Sequence, residues 1–356
     1  MVTDSDTELV RQRFTLGQQW PTIDPFLFVA HHDDAYPAGT SDLGPAASLA
    51  GRRIGMDFDL VDGWNMYHGS TVPGFPQHPH RGFETITHVR TGVIDHADSL
   101  GATARFGGGD TQWMTAGAGI VHAEMFPLLD PDGPNPLELF QIWLNLPAAD
   151  KLVEPYFTML WDERTPRLHT ETAPKSLAEI TVIAGRLAIT GGEPIEPLPP
   201  PPDSWAARPE ADVAIWHVTI TGDGTLDLPP AAGPGTRRTL YVFGGTIMTI
   251  GSTDGAEAPS ELPAGTGAEV VADRALRLGA EGGTVEGLLL QGRPIGDPVV
   301  QHGPFVMNDR AGIVQAFDDY QRTGFGGWPW PSDDPVHDRA AGRFARHADG
   351  RLERMG

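Results

Sequence analysis

The stretch Glu138-Leu-Phe-Gln-Ile-Trp-Leu144 decides the class of fold. It alternates or runs apolar along its length and carries Phe, Ile and Trp, as a half-buried or fully buried strand does. Upstream, Phe83-Glu-Thr-Ile-Thr-His-Val89 and Thr111-Gln-Trp-Met114 read the same way, with Gly and Pro between them. Downstream, Ile180-Thr-Val-Ile-Ala184, Ala214-Ile-Trp-His-Val-Thr-Ile220, Thr239-Leu-Tyr-Val-Phe243, Thr246-Ile-Met-Thr-Ile250 and Val285-Glu-Gly-Leu-Leu-Leu290 form a second series of similar size. The 44 glycines and 33 prolines scattered among these runs favour tight turns over a helical bundle.

Two strand series in 356 residues predict an all-β chain of two tandem β-barrels of jelly-roll type, the arrangement that removes exposed sheet edges. The expected segments are a lead-in over 1–50, irregular apart from the apolar patch Asp24-Pro-Phe-Leu-Phe-Val-Ala30, a first barrel over 51–150, a second over 151–308, and a helix with a loose tail over 309–356. The proline-rich run 193–203 cannot donate a regular ladder and reads as an extended surface loop or linker. Asn308 or Asp309 is placed to cap a short helix carrying Ile313, Phe317 and Tyr320 on one face, with Gly324 as its stop. From Asp333 onward five acids and five arginines, with little that is apolar, predict a loosely held end.

Charge and composition exclude several functions. Twenty-five basic against 47 acidic residues give a net charge of −22, which repels phosphate backbones and anionic membranes. The absence of cysteine excludes disulfides, zinc–thiolate sites and cysteine nucleophiles. The first residues, MVTDSDTELVRQRF, show no basic region followed by an apolar stretch, and no run is long and apolar enough to span a bilayer, so the expected compartment is the cytoplasm.

Eight of the 13 histidines fall between His31 and His122. Two pairs stand out, His78-Pro-His80 and His122-Ala-Glu124. Residues i and i+2 of a strand point to one face, so each pair can offer two ligand atoms to one point. Three imidazoles and a carboxylate, with no sulfur, suit iron, manganese, nickel, copper or zinc. Gly82, Gly117 and Gly119 beside the pairs allow turns and close backbone approach. Pro79 is awkward inside a strand and places His78 and His80 where a loop enters one.

The words themselves resemble a known family. Gly74-Phe-Pro-Gln-His78-Pro-His80-Arg-Gly-Phe-Glu84-Thr resembles the first motif of the pirin family. His96-Ala-Asp98-Ser99, followed by Gly109-Asp-Thr-Gln-Trp113-Met-Thr-Ala-Gly117-Ala-Gly-Ile-Val-His122-Ala-Glu124-Met, resembles the second, and Pro294-Ile-Gly-Asp-Pro-Val-Val-Gln301-His-Gly-Pro-Phe-Val-Met-Asn308 a third. The resemblance implies a bicupin, two cupin barrels with metal in the N-terminal one only, the metal usually Fe(2+) and its ligands falling on His78, His80, His122 and Glu124. The second half carries no His-x-His, in keeping with that.

Some pirins resemble flavonol 2,3-dioxygenases, which cleave quercetin-like flavonols with release of carbon monoxide. That implies a small aromatic substrate and O2 as partners, with Glu124 as the general base. Others act without turnover, binding and modulating a partner protein, and this is the alternative expectation. Among remaining candidates, Glu84 reads as a residue orienting a ligand histidine or pairing with Arg81, and His88 as core or rim. His96 and His302 read as hydrogen-bonded structural histidines and His31 and His32 as a solvated loop. Trp113, Met114, Phe75 and Phe83 read as core or pocket wall.

Overall fold

The computed structural model describes residues 9–173, 175–189 and 191–356. They form two compact units, one of the described residues within 1–29 and 163–296 and the other of 30–162 with 297–356, whereas the sequence suggests four consecutive segments. Residues 1–8 of the expected lead-in lie outside the described residues.

In the first unit, nine antiparallel strands make one sheet. Its order is Val10–Thr15, Thr266–Val270, Arg237–Ser252, Leu276–Gly292, Ala214–Gly222, Ser176–Ala184 and Arg167–Ala173, with two short strands added along the long pair. Trp216, Val218, Leu240, Val242, Met248, Val285 and Leu289 lie in one buried cluster that the sheet encloses. The expected separate strands over 239–243 and 246–250 are one strand bent at Gly244-Gly245, where the register against Leu276–Gly292 shifts. Gly245 has φ 84°, and a Cβ there would stand 1.9 Å from the Thr284 carbonyl oxygen. Only glycine makes that bend, and the bend turns the sheet round its core. The proline-rich 193–203 stays irregular and surface-lying within this unit.

The second unit packs two sheets face to face over a core that includes Tyr36, Trp64, Val89, Phe106, Met114, Phe126, Leu139 and Trp161. One sheet runs Tyr156–Leu160, Thr111–Thr115, Phe83–Thr91, Asn135–Asn145, with residues 30–36 of the strand Phe26–Tyr36 beyond. The other runs Leu352–Arg354, Phe344–Arg346, Thr103–Gly107, Val93–Asp98, Ile120–Met125, Gly74–His80. The helix Arg310–Thr323 forms as expected: the Asp309 side chain accepts from the Gly312 amide at 2.7 Å, and Gly324 ends it in the left-handed region. Its buried face carries Ile313 and Ala316 against Val121, Phe305 and Phe325, with Phe317 and Tyr320 packed alongside.

Two expectations are corrected. The lead-in supplies the strand Val10–Thr15, with Leu9 and Val10 in the first unit's core, and the strand Phe26–Tyr36. The end beyond Asp333 is firmly held. Arg105, 1% exposed, pairs with both carboxylate oxygens of Asp95 (2.6 and 2.7 Å) and donates to the carbonyls of His337, Asp338 and Ala341. Phe344–Arg346 then adds a strand beside Thr103–Gly107. Composition misled because the polar residues of this segment have partners in the body of the unit.

Candidate metal centre

Gly74–His80 lies at the edge of its sheet and pairs antiparallel with Ile120–Met125. The edge position explains how Pro76 and Pro79 sit within a strand, since a missing amide there breaks no ladder. A bulge between Phe75 and His78 sets the register, so that His78 stands opposite His122 and His80 opposite Ile120. Spacing of two then puts His80 on the same face as His78. The three ring centroids are 4.4 Å (His78–His122), 4.8 Å (His78–His80) and 5.0 Å (His80–His122) apart. One nitrogen from each ring lies within 4.8 Å of the others, so the three histidines can hold a metal ion.

The turn leading into Ile120–Met125 depends on Gly119. At φ 132°, a Cβ at Gly119 would stand 2.5 Å from the Phe325 ring, which packs onto this turn. Beside it the Arg81 guanidinium pairs with Asp319 of the helix at 2.9 Å.

Electrostatics keep the imidazoles neutral. Burial pushes His78 down to about 4, with the neighbouring His68 and His96 adding to it against a hydrogen bond to Pro76. Burial likewise lowers His80 and His122 well below the ordinary histidine range. Neutral imidazole is the form that binds metal. The His78 Nδ1–H donates to the Pro76 carbonyl at 2.9 Å, which leaves its Nε2 lone pair free. Neither nitrogen of His122, a fully buried residue, has a hydrogen-bond partner, and neither does Nδ1 of His80. A buried polar group without a partner costs about 1–3 kcal/mol, so an orphaned cluster of lone pairs fits a cation.

Glu124 faces Phe75 on one side and His96 on the other. Its Oε2 is 4.0 Å from His122 Nε2 and accepts from the Gln141 side-chain amide at 3.1 Å; Oε1 is 3.1 Å from the Thr87 hydroxyl. Burial raises its proton affinity, opposed by His96, Thr87 and Gln141. Thr87 and Gln141, which sequence reasoning missed, fix this carboxylate. Their signal was parity, since Thr87 shares a face with Thr85 and Val89 on a strand already identified.

The other candidates fall apart from the cluster. Glu84 accepts from Thr115 at 2.7 Å, His88 is bonded to Thr111 at 2.8 Å, and His302 sits against Phe317. His96 is fully buried and held by Asp98 at 3.1 Å, its ring 5.5 Å from that of His122. Phe83 and Trp143 border His80, and half-buried Phe75 borders His78; Trp113 and Met114 are core. The expectation that His31 and His32 occupy a solvated loop is corrected. They are adjacent residues of the strand Phe26–Tyr36, His31 bonded to Glu138 at 2.9 Å and His32 to Tyr67 at 2.7 Å.

The family model described as Pirin matches residues 7–144, and that described as Pirin C-terminal cupin domain matches 215–326. A Pseudomonas aeruginosa protein named "putative quercetin 2,3-dioxygenase" is 35% identical over 313 residues, covering 87% of this chain and 88% of that one. Human pirin is 31% identical, covering 72% and 79%. A solved structure titled quercetin 2,3-dioxygenase, from Acinetobacter baumannii, superposes with a TM-score of 0.64 over 90% of this chain and 96% of that one at 24% identity, a likeness of fold.

Proposed function

The chain belongs to the pirin family, and from that premise we propose that it is a metal-dependent dioxygenase acting on quercetin-like flavonols or related enols. In this reading His78, His80, His122 and Glu124 hold a divalent transition metal, Fe(2+) in the first instance. The observation that carries it is the convergence of three neutral imidazoles whose buried nitrogens include both of His122 without a partner. The name of the Pseudomonas aeruginosa relative supports the choice of substrate.

When bound, the ion supplies a Lewis acid and a site for O2 chemistry. The chain's own residues do the rest. The Glu124 carboxyl, its proton affinity raised by burial, takes the proton of the substrate's enolic hydroxyl at Oε2. Gln141 and Thr87 hold that carboxylate in place before substrate arrives. Phe75, Phe83 and Trp143 give flat apolar walls to an aromatic ligand and keep water from the histidines. The compartment is proposed to be the cytoplasm; no helix among the described residues is long and apolar enough to cross a membrane.

The test is oxygen uptake by iron-loaded protein with quercetin, alongside elemental analysis. Uptake that disappears in Glu124→Gln and in His122→Ala is expected. A fully loaded wild type that consumes no oxygen overturns the enzymatic reading in favour of a metal-dependent protein that modulates a partner.

A further inference from the structure

Outside the metal ligands, the second unit holds a chain of three buried polar groups that the function above does not use. His32 Nδ1 lies 2.7 Å from the Tyr67 hydroxyl, and that hydroxyl lies 2.6 Å from Asp34 Oδ2. Asp34 is 1% and Tyr67 3% exposed. Asp34 Oδ1 accepts from the Asn65 backbone amide at 2.8 Å and from its side-chain amide at 3.3 Å, and the same side-chain amide reaches the Tyr67 oxygen at 3.4 Å. A phenol has one proton, and the short contact gives it to the carboxylate. The Tyr67 oxygen is then an acceptor, so His32 must carry its proton on Nδ1. Its Nε2 is left as a bare lone pair, and among the described residues no protein group meets it.

The tautomer is therefore fixed by two buried residues behind the ring, the arrangement by which a carboxylate orients a histidine for work on its other nitrogen. The ring is half-buried, and burial with the neighbouring His31 lowers its pKa to about 4, so it stays a neutral acceptor. Its position is also set. His32 and His78 both pack edge-on against Phe75, at 6.0 and 6.3 Å between centroids, while Tyr67 stacks on the same ring at 5.1 Å. His32 and the metal-binding His78 thus share one aromatic neighbour.

We propose that His32 is a specificity-determining residue, its Nε2 accepting a hydrogen bond from a hydroxyl of a polyhydroxylated aromatic substrate remote from the enolic hydroxyl that Glu124 deprotonates. Tyr67 and Asp34 are positioning residues for it. This rests on the flavonol reading above and adds a second anchoring point, which selects substrates by their peripheral hydroxyls.

The test compares binding of quercetin with binding of 3-hydroxyflavone, which lacks the peripheral hydroxyls, to nickel-loaded protein by tryptophan fluorescence quenching. His32→Asn keeps an amide donor toward Tyr67 and loses the Nε2 acceptor. It is expected to weaken quercetin about tenfold, the worth of one hydrogen bond, with 3-hydroxyflavone and nickel content unchanged. His32→Gln, whose amide oxygen reaches the Nε2 position, is expected to restore most of the quercetin affinity. Tyr67→Phe, which frees the His32 ring, is expected to act like His32→Asn and covers the case of a variant that does not fold. Equal losses for both flavonols, or no loss for quercetin, overturn the proposal while leaving the metal-site reading standing. A wild type that binds neither flavonol overturns both this proposal and the flavonol reading it rests on.

Discussion

His78 and His122 are direct partners across two antiparallel strands, their ring centroids 4.4 Å apart and both imidazoles held neutral by burial. Metal-free protein therefore depends on pH in a defined direction. A histidine whose folded pKa is lowered stays unprotonated in the fold while the unfolded chain takes up a proton, so stability is lost as pH falls from 6.5 toward about 4. For His78 alone the loss reaches about 3 kcal/mol across that window. Thermal unfolding of chelator-treated protein should show a falling Tm between pH 7 and pH 4.5. Bound metal should hold the Tm up until protons displace it.

The clasp on Glu124 makes a second expectation. Thr87→Val and Gln141→Ala remove its hydrogen-bond partners without touching a histidine. Metal affinity should drop about 10–100-fold in either variant, read by competition with a chelator, with the unfolding midpoint of metal-free protein little changed. Unaltered affinity in both would show that the carboxylate needs no such support.

Arg105→Met tests the buried anchor. It leaves Asp95 as an unpaired buried charge and removes three donors from the 337–341 carbonyls. A loss of about 3–5 kcal/mol is expected in denaturant unfolding, together with faster proteolytic trimming after residue 333. Arg105→Met combined with Asp95→Leu should recover much of the stability and leave the segment sensitive to protease.

Gly245→Ala and Gly255→Ala separate strain from space. Both glycines have positive φ, 84° and 70°, but only at Gly245 would a Cβ meet backbone, while Gly255 opens onto nothing within 4 Å. Gly255→Ala should cost about 1 kcal/mol and Gly245→Ala several times more, measured by urea unfolding. Equal costs would mean that the bend can relax.

The architecture and the histidine cluster were legible because both rest on period-two patterns, and a strand turns such patterns directly into faces. The cap and stop of the helix were legible because Asp309 and Gly324 act on their own neighbours. What escaped was long-range. The sequence around Arg105 cannot announce that its guanidinium reaches residues 337–341, nor does Ala30-His31-His32-Asp33-Asp34 show that His31 reaches Glu138 while His32 and Asp34 reach Tyr67. Local polarity suggests solvation, whereas His31, His32 and Asp34 each have a partner more than thirty residues away.

In the second unit, Phe344–Arg346 lies beside Thr103–Gly107 and extends that sheet. On a ribosome, the histidine-bearing strands emerge long before the segment that completes their sheet. Synthesis therefore delivers the strand Thr103–Gly107 well before the one that pairs along its outer edge.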